Sequence, residues 1–161
     1  MSYSQSNTLP IYQEGDFVLS GSFSIVNYLL SLNSQVSQSL VGNTAQSKSL
    51  NGSWLEFSSY RIQELDLVLL AQNVDKEASS LAQKDLETSL ESLNNHLQLR
   101  TFLTGYQYSL SDLAVSTSLR PYFERVIVKE QRDKYSHVTR WFNFCSSLSE
   151  VVQAFGYVKF V

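Results

Sequence analysis

The sequence is poor in the residues that usually carry covalent staples, metals and catalysis. Its 161 residues hold one cysteine, Cys145, and two histidines, His96 and His137. A lone thiol excludes an intramolecular disulfide and any cysteine cage for zinc. The two histidines are isolated and lack metal-ligand spacing, so no metal is expected, and His137 reads as a turn residue or helix cap. No apolar run approaches the roughly 20 residues needed to span a bilayer. The polar start, Met1 to Asn7, lacks the charged-then-apolar layout of a secretory signal. These absences set the expectation of a soluble, reducing, intracellular chain with no membrane contact. Charge is scarce as well, at 17% of residues and a net −3, so no overall positive field draws nucleic acid or anionic lipid. The cations Arg120, Arg125, Lys129, Arg132, Lys134 and Arg140 cluster in sequence, but Glu124, Glu130 and Asp133 interrupt them. Nucleic-acid affinity needs several uncompensated cations on one face.

What is present suits a packed fold. Hydrophobic residues make up 43% of the chain. A chain of this length buries roughly two-thirds of its unfolded surface and forms one domain, or one with a small companion. Leu9-Pro10-Ile11-Tyr12 and Phe17-Val18-Leu19 flank Gln13-Glu14-Gly15-Asp16 as in a hairpin. Pro10, without an amide hydrogen, belongs at a strand start or edge. Ile25, Val26, Leu29, Leu30 and Leu32 then follow at helical spacing, with Ser22 as the expected N-cap. Asn33 to Ser39 reads as a polar linker. A long helix is expected from Thr44, with Leu50, Trp54, Phe57, Arg61, Leu65, Val68 and Leu69 on one face. Gly52 inside it costs about 1 kcal/mol relative to alanine. Asn73 to Ser79 reads as a break. Leu86, Leu90, Leu93 and Leu97 form the stripe of the next helix, with Asp85, Glu87 and Glu91 on its wet side. Two short helices are expected around Trp141 and Val152.

The segment Phe102 to Val115, FLTGYQYSLSDLAV, concentrates hydroxyls and a carboxylate. Ser109 and Asp112 stand at capping-box spacing, with Asp in place of the commoner Glu or Gln. Asp112 then sits at the positive end of a helix dipole, a gain of about 0.3–1 kcal/mol. Tyr108 and Leu113 are placed to form a hydrophobic staple, and Leu113, Ala114 and Leu119 are expected in the core. A catalytic serine needs a neighbouring base, and no Gly-x-Ser-x-Gly elbow exposes Ser109. The folding role is the better reading. Trp54 and Trp141 are read as core and Cys145 as a buried small hydrophobe.

The same segment resembles the Leu-x-Gly-x-x-x-Ser/Thr-x-Ala/Ser-Asp motif of glutathione-transferase C-terminal domains. HVTRWFNF, His137 to Phe144, is similar to the Asn-Val-x-Arg-Trp helix that follows it in the translation-associated branch of that family. LPIYQEGDFVLSGSFSIVNYLL resembles the hairpin and helix of the family's thioredoxin-like half. The three pieces occur in family order across almost the whole chain. The resemblance implies a mainly α, GST-like fold. Residues 1–40 would be a truncated thioredoxin-like hairpin and helix, and 41–161 an all-helical GST C-terminal-like domain.

It also implies an adaptor rather than an enzyme. Only about eight residues precede Leu9, so the unit that activates glutathione is missing or a stub. Gly21-Ser22 lacks the carboxylate that binds the γ-glutamyl group. No cofactor is therefore expected. The implied partners are GST-like domains of aminoacyl-tRNA synthetases or elongation-factor subunits in the multisynthetase complex, with a homodimer as the alternative and tRNA reached only indirectly. The implied setting is the cytoplasm, with the nucleus as the alternative. Two surfaces are expected, one around Ser24, Tyr28, Ser53 and Phe57, the other around Arg140 and Phe144. The bland reading of Arg140 is a surface arginine paired with a carboxylate, worth about 0–1 kcal/mol. The functional one is an interface anchor, where Arg and aromatics are enriched. The remaining readings are a divergent glutathione transferase and an N-terminal interaction module of a longer tRNA-binding protein or synthetase.

Overall fold

The computed structural model describes residues 9–71 and 74–161. The expectations for Met1 to Asn7 and for Asn73 lie outside them. The chain divides into two units between Asn43 and Thr44.

The larger unit is helical. Its elements are α3 (Ala45–Phe57), α4 (Asp66–Leu69), α5 (Lys76–Leu97), α6 (Leu110–Arg125), α7 (Lys129–Lys134), α8 (Ser136–Ser146) and α9 (Ser149–Phe155). Helix α5 starts where Asp75 Oδ2 accepts the amides of Glu77 at 3.0 Å and Ala78 at 3.2 Å, so the expected break is shorter than Asn73 to Ser79. The stripe Leu86, Leu90, Leu93 and Leu97 is fully buried, joined by Ala82 and Ser89. It packs on α8, which buries Val138, Trp141, Phe142 and Cys145. Helix α6 packs on α8 and on α3, and its Val115, Leu119, Tyr122 and Phe123 join the same buried core. Leu119 enters the core as expected. Leu113 and Ala114 are only half-buried, because the face one step further round the helix, through Val115, points inward.

The ring of Phe123 stacks on that of Phe142 at 3.8 Å, and Phe160 meets both edge-on. Two arginines fix the chain that brings Phe160 there. Arg120 donates to the carbonyls of Phe155, Gly156 and Tyr157 and pairs with Glu124 at 3.0 Å. Arg132 donates to the carbonyls of Ile127 and Val161. Arg120 and Arg132, two of the cations clustered in sequence, are thus spent on backbone carbonyls.

The long helix expected from Thr44 is interrupted. After α3, Ser58–Ile62 takes one π-helical turn and Gln63–Leu65 a 3-10 turn before α4. A mid-helix change of hydrogen-bond step leaves carbonyls to be satisfied from outside. Tyr122 reaches this point: its hydroxyl lies 2.9 Å from Ile62 O and 2.5 Å from Asp66 Oδ1, its one proton shared between the two acceptors. Ser118 Oγ meets Ser58 Oγ and accepts from Gln63 Nε2. The expected face is also rotated: Leu50 and Arg61 are exposed, Trp54, Phe57, Leu65, Val68 and Leu69 are half-buried, and the buried positions are Asn51, Ser58 and Ile62.

The smaller unit starts with a two-stranded antiparallel sheet, β1 (Ile11–Glu14) and β2 (Phe17–Ser20), joined by Gly15-Asp16. Gly15, at φ 59°, gives the tight turn its left-handed residue. Helix α1 (Ser22–Ser31) follows, but Ser22 is its first residue rather than its cap. The N-cap is Gly21, and no side chain bonds there. Asn33 to Ser39 is not a linker. Asn33 accepts the Val36 amide at 3.2 Å and starts α2, Ser34–Val41. A short polar run lacking charge hid an Asx-capped helix whose apolar face is only Val36, Leu40 and Val41. None of the described residues up to Asn43 is buried.

Tyr122→Phe removes both hydroxyl bonds and should lower stability in urea by about 1–3 kcal/mol. Burial, then the Asp66 hydrogen bond, raises the Tyr122 phenol well above its ordinary range. Its contribution is therefore complete below the unfolded tyrosine pKa of about 10 and declines as pH rises beyond it. Urea titrations from neutral to alkaline pH should show a shallower loss in Tyr122→Phe than in the parent.

Candidate functional site

The polar centre of the larger unit is Asp112, which is fully buried at 0% exposure. It stands in the first turn of α6, with Ser109 as N-cap and the capping-box pair present. Its Oδ2 accepts from Ser109 N at 2.9 Å and from Ser109 Oγ at 2.7 Å. Its Oδ1 accepts from Leu103 N at 2.9 Å and from Trp141 Nε1 at 2.7 Å. Sequence reasoning found the local half of this arrangement. The bonds to Leu103 and to Trp141 on α8 had no local signal. Trp141 is read as core in the sequence and is core here, at 1% exposure, but it also has a polar duty.

The next serine is used as well. Ser111 N and Oγ donate to Asn51 Oδ1 at 3.1 and 2.5 Å. Asn51 lies buried on α3 and donates its own amide to Ser47 O at 3.1 Å. It caps α6 from another helix. Asn94 on α5 treats α8 in the same way, taking the amides of His137 at 3.0 Å and Val138 at 3.4 Å. The cap expected at His137 is thus made by Asn94. His96 Nε2 meets Leu103 O at 2.9 Å, and the His96 ring lies edge-on to Trp54 at 4.7 Å. Trp54 is half-buried, against the core rather than inside it. Burial, with the Asp112 charge adding to it, pushes the Cys145 thiol up to about 12. Such a thiol stays protonated and is a poor nucleophile.

Among the described residues, no three His, Cys, Asp or Glu side chains are placed to hold a metal, and no helix is long and apolar enough to cross a membrane.

The six expected interface residues fall on three helices as one-turn pairs. Ser24 and Tyr28 lie on α1. Ser24 is exposed, and the Tyr28 hydroxyl donates to Glu14 Oε2 at 2.9 Å. Ser53 and Phe57 lie on α3. Ser53 Oγ turns back to Leu50 O at 2.9 Å, and Phe57 is half-buried edge-on to Trp54 at 5.3 Å. Arg140 and Phe144 lie on α8. Arg140 Nη2 donates to Leu97 O at 3.1 Å and Arg100 O at 2.8 Å, so it closes the end of α5 rather than pairing with a carboxylate. Phe144, 45% exposed, packs edge-on to Phe102 at 5.1 Å. Arg140 and Phe144 therefore hold the segment after α5 from two sides and still face solvent. The kink adds a feature that periodicity did not suggest. Phe57, Tyr60, Arg61, Glu64, Leu65 and Asp85 are among the residues lining a groove of about 400 Å³ between it and α5.

Comparison with known proteins places this geometry. A family described as the nuclear-export cofactor Arc1p, N-terminal-like, matches residues 71–148. The chain is 31% identical over 157 residues to elongation factor 1-gamma of Danio rerio, covering 94% of this chain and 34% of that protein. It is 29% identical over 122 residues to eukaryotic translation elongation factor 1 epsilon-1 of Homo sapiens, covering 76% of this chain and 61% of that one. The chain thus spans about a third of the elongation factor 1-gamma relatives it matches. The crystal structure of the GST-like domain of elongation factor 1-gamma from Saccharomyces cerevisiae superposes with a TM-score of 0.86 at 19% identity, over 96% of this chain and 75% of that one. The fold is GST-like and mainly α, as the resemblance implied.

Asp112→Ala leaves the Leu103, Ser109 and Trp141 donors without their acceptor and should cost at least about 3 kcal/mol. Ser109→Ala removes one hydroxyl and should cost about 0.5–2 kcal/mol. Urea denaturation followed by tryptophan emission separates the two. Equal, small losses would contradict the hub role of Asp112.

Proposed function

From a GST-like chain related in sequence to elongation factor 1-gamma and elongation factor 1 epsilon-1, we propose a non-catalytic adaptor in cytoplasmic translation. It assembles GST-like domains of aminoacyl-tRNA synthetases or of elongation-factor subunits. The carrying observation is how the reactive-looking groups are used. Ser109, Ser111 and Asp112 are committed to helix ends and to Trp141, and the Cys145 thiol is buried and pushed up. Association is the work left to the surface.

Two surfaces serve it. One uses Ser53 and Phe57 on α3 of the larger unit, while Ser24 and Tyr28 on α1 are candidate contacts of the smaller unit by itself. The other uses Arg140 and Phe144 on α8. Arg140 donates through one nitrogen only, which leaves the rest of its guanidinium plane for a partner's carboxylate or aromatic ring. Two surfaces let one small chain bridge two partners and raise their effective concentration. The match to a third of elongation factor 1-gamma also favours a second reading, in which the chain acts as the interaction module of a longer translation protein.

Arg140→Ala should weaken binding to one GST-like partner at least about tenfold, the loss expected when an interface anchor is truncated, and leave a second partner bound through Ser53 and Phe57 on α3. Titrations of each partner by calorimetry read this directly. Equal loss of both would refute the two-surface arrangement. Retention on immobilised glutathione together with conjugating activity would instead establish a transferase.

A further inference from the structure

Among the described residues, nothing lies along one edge of the smaller unit's sheet. Gly21 N donates to Pro10 O at 3.0 Å. The register pairs Ile11 with Ser20, Tyr12 with Leu19, Gln13 with Val18 and Glu14 with Phe17. In an antiparallel ladder, bonded and non-bonded pairs alternate. Starting from the bonded Pro10–Gly21 pair, Tyr12 and Glu14 turn their backbone groups toward β2. Ile11 and Gln13 turn theirs outward. No hydrogen bond to those outward groups is present among the described residues.

An open edge normally carries a defence, such as an outward charge, a bulge or a covering loop. Here Ile11 and Gln13 are uncharged. The strand's one carboxylate, Glu14, is held on the other face by the hydroxyls of Tyr12 and Tyr28. Pro10 ends the edge but does not block it. A two-stranded hairpin is marginal by itself, and no described residue of this unit is buried. Leu9 is 84% exposed, Ile11 45%, and Leu29 of α1 46%. The unit has a strand to extend and apolar surface to cover.

We infer that the outer edge of β1 pairs antiparallel with β1 of a second copy of this chain, joining two hairpins into one continuous four-stranded sheet. The edge is self-complementary about a two-fold axis at Tyr12. Ile11 of each copy then faces Gln13 of the other as a bonded pair, satisfying the outward amides and carbonyls together. Tyr12 faces Tyr12 of the second copy as a close, non-bonded pair, which suits two aromatic rings. Glu14 falls opposite Pro10, so no two carboxylates are opposed. An isologous contact of this kind closes at two copies and does not propagate. The edge is short, so the dimer is weak and concentration-dependent. This contact uses none of the adaptor residues on α3 and α8, but it adjoins Tyr28 of α1, whose ring lies 5.5 Å from that of Tyr12.

Sedimentation velocity over about 5–500 µM should show mean mass rising toward twice the chain mass, as expected for a mass-action dimer. Gln13→Pro removes one outward donor while sparing the bonds to β2, and should weaken association at least about tenfold. Ser20→Pro, on the opposite edge, should leave it unchanged. Tyr12→Cys gives a readout that does not depend on tolerance of proline. The paired Cα atoms lie about 4.5 Å apart in a non-bonded pair, within disulfide reach, so mild oxidation should yield a covalent dimer, while Asp16→Cys should not. A monomer at every concentration with no Tyr12→Cys cross-link would overturn the inference. So would slow exchange of the Ile11 and Gln13 amides in a monomer, because that would mean the chain covers its own edge.

Discussion

The helical unit depends on one buried carboxylate. Asp112 takes four donors from three places: its own helix cap, the loop at Leu103 and Trp141 on α8. A charge without water must be hydrogen-bonded on both oxygens or its burial is prohibitive. These bonds tie the start of α6 to the loop amide of Leu103 and to the indole of Trp141 at once. The first turn of the helix adds its own amides and dipole. Around this point Leu103, Val115, Trp141 and Cys145 close without a polar atom left over, and the described residues contain no buried side-chain polar atom lacking a partner.

The same economy recurs away from the centre. Asn51 caps α6 from α3, and Asn94 caps α8 from α5. Tyr122 takes the carbonyl released by the π-helical turn. Arg120, Arg132 and Arg140 each hold backbone carbonyls at a helix end or along the final segment. Helix ends leave amides and carbonyls without partners, and in this chain other helices often supply them. The hydroxyls, amides and guanidinium groups that might have served catalysis or phosphate binding are largely used inside the molecule. Such a polar-satisfied scaffold, with exposed aromatic and apolar surface remaining, is what supports the adaptor role proposed above.

The smaller unit has the opposite character. It has well-formed elements, a glycine turn and an aromatic group of Tyr12, Phe17 and Tyr28, but none of its described residues is buried. A protein of this design separates the two tasks: one unit supplies rigidity, and the other offers unsatisfied edge and apolar area.

The sequence by itself determined the elements whose causes are local. The period of Leu86 to Leu97, the Gly15 turn and the Ser109–Asp112 spacing each follow from contacts within a few residues, and each was legible. The candidate surfaces were legible only as residue types at one-turn spacing on separate helices. What only the tertiary structure decided lies at long sequence separation. Trp141 reaches Asp112 across 29 residues and Asn51 reaches Ser111 across 60. The kink at Ser58–Ile62 and the capture of Ile62 O by Tyr122 belong to the same class. One extra residue in a turn rotates the face that follows it, which steps of three and four in the sequence do not reveal, and an Asn on a helix face looks the same whether it meets water or another helix end. The partner of a polar group is chosen by packing, which a one-dimensional pattern does not contain.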